Sequence, residues 1–346
     1  MTQVMTVRGL IDSAELGVTL THEHIINDVS SWWQASTSPG LDPHQFAEAP
    51  VTMDLLWDLK QDPFGNKDNC RLQDIEVAVA EVARFADLGG GTIVETTGLG
   101  IGRDLAGLRE VSERTGVHIV AGTGYYLEGS QPDWLGSASE EEIAEVIRAD
   151  LAAGEGGVRP GIIGEIGVGQ DFTPAERKSL AAACAVQTST RLPMQIHLPG
   201  WFRLGDEVLD FVEQRGVDPN HVILCHMNPS GSDPNYQKHV MDRGAWVQYD
   251  MIGAELFYAD QGVQCPSEED TARYLTVLVE DGYIGRLLMS SDIFLKSLLR
   301  CYGGPGYAHI LQYFLPRLHR HGLDQAAGQQ LTITNPRRIF DTPKED

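Results

Sequence analysis

The sequence is poor in cationic residues. It contains 26 Lys and Arg against 49 Asp and Glu, which gives a formal net charge of -23 at pH 7. Nucleic acids and anionic membrane surfaces are bound through clustered positive charge, so this balance argues against both as partners. The expected partner is a small-molecule substrate, which the charge balance does not itself identify.

Long apolar runs and paired cysteine motifs are also absent. No stretch approaches the roughly 20 apolar residues that a membrane-spanning helix requires, and the first residues lack the basic start and apolar run of a signal peptide. The five cysteines form no CxxC motif, and no GxGxxG opens a helix. These features predict a cytoplasmic protein with reduced thiols, and they give no indication of nucleotide binding.

What the sequence does contain is an alternation of short β-branched runs with longer helical patterns. Apolar runs this short suit parallel strands that are covered on both faces. Ser139 and Glu142 form a capping box before one helix, and Thr173 and Glu176 form the start of another. The pattern predicts one α/β domain over residues 1–346, a (β/α)8 TIM barrel. Its predicted strands are Val18–Thr21, Thr92–Thr96, His118–Gly122, Gly161–Glu165, Met194–His197, His221–Cys225, Trp246–Asp250 and Arg286–Ser290, with further helices at 206–214 and 268–280.

The sharpest chemical signal is the pair His22 and His24 in the segment THEH. Residues i and i+2 of a strand point to the same face, so both imidazoles would point into the barrel. Two converging imidazoles are typical ligands of a zinc-class ion. An HxH pair alone is weak evidence, because histidines with ordinary hydrogen-bonding roles also occur at this spacing.

Four more candidate ligands stand at or just after the ends of predicted strands. Glu165 ends GIIGE, His197 ends MQIH, His226 follows HVILC and Asp292 follows RLLMSS. Barrel active sites are built at the carboxyl ends of the strands, so these side chains would meet the two histidines there. The clustering predicts a metal centre.

Charge arithmetic favours two divalent ions in that centre. Buried side by side, Glu165 and Asp292 need cations for compensation, and a carboxylate such as Glu165 can bridge two ions. His22, His24 and Asp292 would hold one ion, and His197 and His226 the other. A hydroxide between the ions would be the nucleophile, with Asp292 as general base and proton shuttle. Zinc is the expected metal, with manganese, cobalt and iron as alternatives.

The order of these residues resembles the phosphotriesterase family of the amidohydrolase superfamily, and within it the phosphotriesterase-related branch. The enzymes that give the family its name carry a carboxylated lysine on the fourth strand, where this chain has Glu165. The resemblance also implies a homodimer. It extends over nearly the whole chain, through the stretches TIVETTGLGIGRD (92–104), VHIVAGTGYY (117–126), DMIGAELFY (250–258), GYIGRLLMSSD (282–292), YGGPGYAHIL (302–311) and ITNPRRIF (333–340).

The sequence departs from the family pattern after the sixth strand, where Asn228 stands at a position that is usually acidic. Asn cannot shuttle a proton, so a relay from Asp292 through a second carboxylate is not expected.

Candidates for substrate contact are weaker than the ligand set. Tyr126 follows the third strand and Trp201 lies in the fifth loop, and each is either a pocket residue or a packing residue. Arg273 matches a family position near the active site, but it can equally be a helix-surface arginine. Lys296 either orders the loop after the eighth strand (loop 8) or contacts an anionic group of the substrate.

The resulting functional hypothesis is a metal-dependent hydrolase of a carboxylic ester or lactone. Hydrolysis of an N-acyl amide or of an organophosphate is the alternative chemistry for the same centre. A barrel that binds a small molecule without turnover is the alternative of another class, because a fold does not determine function.

Overall fold

Eight parallel strands form the core of the protein, as seen in a computed structural model that describes residues 2–341. The spatial order of the strands is their order along the chain, and the helices surround them. This is the predicted (β/α)8 TIM barrel. Its strands are β1 (Val18–Glu23), β2 (Gly90–Glu95), β3 (His118–Thr123), β4 (Ile162–Gly167), β5 (Met194–His197), β6 (Val222–Leu224), β7 (Trp246–Tyr249) and β8 (Leu287–Met289).

Seven of the helices between or beside these strands have nine or more residues. They are α1 (Ile75–Asp87), α2 (Leu105–Thr115), α3 (Glu140–Ala153), α4 (Pro174–Thr190), α5 (Gly205–Glu213), α6 (Pro234–Asp242) and α7 (Glu268–Glu280). The shorter helices are Pro43–Glu48, Leu56–Gln61, Asp133–Ser137, Leu315–Arg320, Gln325–Gln329 and Asn335–Phe340.

The predicted helix starts are confirmed. In α3 the Ser139 hydroxyl accepts the N–H of Glu142, whose carboxylate accepts the N–H of Ser139 in return. Thr173 and Glu176 make the same reciprocal pair at the start of α4. Each box satisfies two backbone donors that would otherwise lack a partner in the first turn, which is why the local sequence sufficed to locate these helices.

Strand β1 lies against β8, which brings the two ends of the sheet together. The hydroxyl of Thr21 donates to the carbonyl of Met289 at 3.2 Å, and the N–H of His22 donates to the hydroxyl of Ser290 at 2.9 Å. The carboxyl ends of β1 and β8 are therefore neighbours, although about 270 residues separate them in the chain.

Apolar side chains close the amino end of the barrel. Val94, Val120, Ile162, Ile223, Trp246 and Leu288 form a buried cluster with residues from both ends of the described chain. These partners include Val4 of the hairpin Gln3–Thr6 and Gly9–Asp12, and Phe340 of the last helix. The opposite, carboxyl end carries the long connections.

Two segments cover this carboxyl end. The β1–α1 connection contains the paired strands Asn27–Asp28 and Arg71–Leu72, and the β7–α7 connection contains the hairpin Phe257–Tyr258 and Val263–Gln264. Across residues 2–341, none of the helices combines the length and the hydropathy that a membrane crossing would require.

Candidate metal centre

His22 and His24 lie at the end of β1 and present their imidazoles to the same side, as the alternation of a strand requires. Their Nε2 atoms lie 3.6 and 3.4 Å from Oδ1 of Asp292, which follows β8. The closure of the barrel therefore produces a group of two imidazoles and one carboxylate. All three residues are buried.

Glu165 on β4 lies at the centre of the cluster. Its Oε1 is 2.7 Å from Nε2 of His226 and 2.9 Å from Nδ1 of His197. Its Oε2 is 3.7 Å from Nε2 of His22 and 4.0 Å from Nε2 of His24. One carboxylate oxygen thus faces each pair of histidines, which is the disposition that a bridging carboxylate needs.

Unusual backbone conformations occur at two of the candidate ligands and next to a third. Gly164, which precedes Glu165, has a φ of +123°, and a Cβ there would lie only 2.5 Å from the carbonyl oxygen of Gln195. Asp292 and His226 adopt positive φ values of 48° and 58° although neither is glycine. A non-glycine residue in this region costs about 1–2 kcal/mol, so surrounding contacts must hold both residues in place.

Side chains behind the cluster orient two of the imidazoles. Asp250 lies 3.0 Å from Nδ1 of His226 and accepts the backbone N–H of the same residue at 2.9 Å. Thr97 donates its hydroxyl to Glu95 and lies 2.9 Å from Nδ1 of His24. Nδ1 of His24 is then the donor to Thr97, which leaves the Nε2 lone pair directed at the cluster.

The cluster brings opposite charges close together in a buried setting. Burial opposes ionisation of Glu165, but the charges of His22, His197 and His226 hold its pKa well below the ordinary value. Burial also disfavours the charged form of His226, yet the carboxylates of Asp250 and Glu165 hold its pKa well above the ordinary value. Burial lowers the pKa of His197. The carboxylates therefore require positive charge within the cluster.

The residues fit the binding of divalent metal. Within the described chain, Nε2 of His22 is buried without a hydrogen-bond partner. Imidazole nitrogens and carboxylate oxygens are the donors that zinc and its neighbours in the first transition row accept. The groups whose donor atoms lie within 4.8 Å of one another include His22, His24 and Asp292, and His22, Glu165 and His226.

A cavity of about 260 Å³ opens onto this cluster. Its walls are mostly aromatic and apolar, and all of the candidate ligands except His22 lie at its floor. Trp32 stacks on Phe64 with ring centroids 5.3 Å apart, Phe64 contacts Tyr258 at 5.2 Å, and Tyr258 contacts Trp201 at 5.6 Å. Among residues 2–341, no Lys or Arg lines this cavity.

Two of the four predicted substrate contacts line the cavity. The hydroxyl of Tyr126 lies 3.2 Å from Nδ1 of His197, and burial, followed by the charges of Glu165 and Asp292, raises the pKa of this hydroxyl well above its ordinary value. Trp201 is anchored through its indole N–H, which donates to the carbonyl of Gln264 at 3.2 Å. Both residues therefore contribute to the cavity wall.

The other two predicted contacts, Arg273 and Lys296, do not line the cavity. Arg273 is exposed on α7 and forms an ion pair with Asp270 one turn earlier. Lys296 follows Asp292 in the connection after β8, and its ammonium binds the carboxylate of Asp68. The ion pair joins the connection after β8 to the β1–α1 connection. This contact corresponds to the expectation that Lys296 orders the loop rather than contacts the substrate.

Several residues that the structure brings to this site were not predicted from the sequence. Phe64, Met251 and Phe294 line the cavity. Phe294 alone carried a local signal, because it stands two residues after Asp292. Phe64 reaches the cavity only through the path of the β1–α1 connection, which no local pattern predicts.

Asn228 is fully buried, and its Oδ1 accepts the N–H of Met251 at 3.1 Å. It therefore supports the start of the loop after β7. Asn228 and Met251 are not proton-transfer groups, so the described geometry contains no relay through them.

Replacing Arg273 by Ala is expected to change kcat/KM by less than about twofold, because an exposed ion pair contributes little and the side chain is remote from the cavity. Trp201→Ala is the matched comparison and should raise KM. Steady-state kinetics on both variants checks this expectation. A loss above about tenfold for Arg273→Ala would place the guanidinium in substrate binding.

A (β/α)8 barrel that gathers four imidazoles and two carboxylates at the carboxyl ends of its strands has the architecture and donor set typical of metal-dependent hydrolases. Comparison with known proteins specifies the family. The sequence matches the phosphotriesterase family over residues 2–340, and the chain belongs to that family.

Three relatives illustrate its range. The chain is 50% identical to a solved resiniferatoxin-binding protein from Rhodobacter sphaeroides, with a TM-score of 0.95 over 98% of this chain and 95% of that one. It is 34% identical to the N-acetyltaurine hydrolase of Xenopus tropicalis over 97% of both sequences. A mutant of a phosphotriesterase-like lactonase from Deinococcus radiodurans is 28% identical, with a TM-score of 0.75 over 97% of this chain and 99% of that one.

Proposed function

We propose that the protein hydrolyses an uncharged carboxylic ester or lactone. The observation that carries this proposal is an aromatic cavity without Lys or Arg among its described lining residues, which ends at the cluster of Glu165 and Asp292. A neutral acyl compound can leave water and enter such a cavity, whereas an anionic group held away from the metal cluster would be desolvated without a Lys or Arg partner.

The candidate ligand set would divide between two ions. His22, His24 and Asp292 would hold one ion, His197 and His226 the other, and Glu165 would be shared because its two oxygens face the two histidine pairs. When bound, the ions supply Lewis-acid polarisation of the carbonyl and a hydroxide nucleophile at neutral pH. The six side chains would keep the ions in place at the floor of the cavity. Zinc suits this donor set.

The remaining steps fall to side chains that line the cavity. The carboxylate of Asp292 accepts the proton that the attacking hydroxide releases and returns it to the leaving oxygen, acting as base and then as acid. Because Asn228 cannot continue a relay, the proton stays with Asp292 or leaves through the cavity. The protonated hydroxyl of Tyr126 is available to donate a hydrogen bond to the substrate.

The relatives support hydrolysis but differ in substrate. N-acetyltaurine carries a sulfonate, and this cavity offers that group no cationic partner among the described residues. An N-acyl amide with an uncharged amine portion fits the cavity better than N-acetyltaurine does. Organophosphate triesters, which are also neutral, are a further alternative for the same centre.

Binding without turnover is the second candidate, because the 50% identical solved structure is described as a resiniferatoxin-binding protein. A measurement of substrate hydrolysis distinguishes the hydrolase from the binding protein. A zinc- or manganese-loaded sample that binds neutral lactones and esters but hydrolyses none of them, nor amides or organophosphates, would support the binding function.

A matched pair of substrates tests the preference for neutral compounds. We expect methyl pentanoate to be hydrolysed at least about tenfold more efficiently than the monomethyl ester of succinate, because an unpaired charge in a buried site costs more than 1.4 kcal/mol. Gln261 lines the cavity mouth, so a positive charge introduced there can reduce the preference for the neutral ester. Gln261→Arg should reduce the discrimination, whereas Gln261→Met should not.

Competition between the two esters in one assay gives the ratio of kcat/KM directly. Equal rates for both esters would reject the preference for neutral substrates while leaving hydrolysis in place.

A further inference from the structure

The backbone of Asp292 must be held in a conformation that it does not prefer. Its φ of 48° lies in the left-handed region, and Asp292 stands in the connection after β8 rather than inside a strand. Its carboxylate has to reach the imidazoles of His22 and His24 from there. A few degrees of backbone rotation would move the carboxylate oxygens by a substantial part of an ångström.

Glu23 binds the chain on both sides of Asp292. Its Oε1 accepts the N–H of Ser291 at 2.8 Å and the hydroxyl of Ser290 at 2.7 Å. Its Oε2 accepts the N–H of Ile293 at 2.8 Å. The two backbone donors are the residues immediately before and after Asp292, and Glu23 is fully buried.

The position of Glu23 follows from strand alternation. His22 and His24 turn toward the metal cluster, so the residue between them turns away from it and meets the neighbouring end of β8. The backbones of the two segments are also joined directly: the N–H of Asp292 donates to the carbonyl of His22, and the N–H of His24 donates to the carbonyl of Ile293, both at 3.3 Å.

We propose that Glu23 is a positioning residue that holds Asp292 in its left-handed conformation and thereby places the Asp292 carboxylate against the imidazoles. This inference rests on the proposed role of Asp292 in metal binding and proton transfer. Glu23 itself does not line the cavity. Glu23, the middle residue of the HxH segment, thus acts on Asp292, the candidate ligand in the connection after β8.

The second ligand with a positive φ is held in a similar way. His226 donates its N–H to both oxygens of Asp250, at 2.9 and 3.1 Å. A carboxylate that accepts backbone N–H groups therefore accompanies each strained ligand. The repetition supports a positioning role for Glu23 rather than an incidental contact.

The chain offers a matched control in Glu81 on α1. Glu81 is also buried, with 1% of its surface exposed, and its carboxylate accepts the N–H groups of Arg300 and Cys301 at 2.8 and 2.9 Å. It thus makes the same type of contact with a different loop. It does not line the cavity or belong to the metal cluster.

The experiment compares Glu23→Gln with Glu81→Gln in the full-length protein, using Co²⁺ as the probe. A glutamine presents an amide N–H₂ in place of one oxygen, so one backbone donor beside Asp292 loses its acceptor. We expect Glu23→Gln to weaken Co²⁺ binding by about 10–100-fold and to shift the visible absorption of bound Co²⁺. We also expect kcat to fall while KM changes by less than about twofold.

Glu81→Gln should lower the melting temperature about as much as Glu23→Gln does. It should not affect the Co²⁺ spectrum, the Co²⁺ affinity or kcat. If Glu23→Gln does not fold, Glu23→Asp replaces it, because the shorter carboxylate keeps its acceptors but cannot reach all three donors. A Co²⁺ spectrum and affinity equal to those of the unaltered protein would overturn the proposal, as would equal effects of the two glutamine variants.

The spectroscopic result is independent of any substrate. If none of the tested substrates is hydrolysed even by the unaltered protein, but Glu23→Gln still shifts the Co²⁺ spectrum, the proposed function fails and the positioning role stands.

Discussion

Replacing Asp292 by Asn is expected to lower kcat by about 10²–10⁴-fold, the usual contribution of a positioned general acid and base. Asn has nearly the same shape and keeps one oxygen for the metal, but it cannot accept a proton. The side chain lies in the cavity floor, 3.6 Å from His22 and 3.4 Å from His24. The loss should therefore appear in turnover with only a small change in KM.

The measurement is steady-state kinetics on a neutral lactone or ester, with the metal content of each sample determined by mass spectrometry. Equal metal content in Asp292→Asn and the unaltered protein is the necessary control, because it separates lost proton transfer from lost metal. Activity within about tenfold of the unaltered protein, at equal metal content, would remove Asp292 from the proton-transfer step.

The second large effect is expected for Glu165→Gln, which should reduce the bound metal from two ions per chain to about one or fewer. Oε1 of Glu165 faces His197 and His226, whereas Oε2 faces His22 and His24. An amide nitrogen does not ligate these metals, so only one of the two histidine pairs keeps its shared ligand. The substitution also removes the negative charge that compensates the buried cations.

Metal analysis after dialysis against chelator-treated buffer gives the stoichiometry, and hydrolysis should fall by at least about 10²-fold in parallel. Glu176→Gln is a suitable control, because Glu176 is a buried carboxylate that caps α4 in the same region of the chain. Its replacement should lower stability and leave the metal content unchanged. Two ions bound to Glu165→Gln would reject the bridging role.

Much of the fold was predictable because its signals are local. Each of the eight predicted strands overlaps an observed strand, and the capping boxes at Ser139 and Thr173 are present. Helix caps depend on residues three positions apart, and short apolar runs reflect burial of the strand on which they occur. Neither signal requires knowledge of distant parts of the chain.

The gathering of the six candidate ligands was predictable for a related reason. Once the strands are parallel and form a barrel, their carboxyl ends meet at one face, whatever the lengths of the connections. His22, Glu165 and Asp292 could therefore be placed together from their positions at strand ends. That these residues bind two metals remains a proposal, which the stoichiometry of Glu165→Gln tests.

The residue pattern along the chain was enough to predict the alternation of strands and helices, the positions of the candidate ligands at strand ends and the excess of negative charge. The folded arrangement was needed to see that Arg273 faces solvent, that Lys296 binds Asp68 and that Glu23 holds the chain on both sides of Asp292. The difference lies in the range of the interactions. Periodicity and capping act over a few residues, whereas the direction of a loop side chain depends on packing between segments far apart in the chain, and no local pattern encodes that packing.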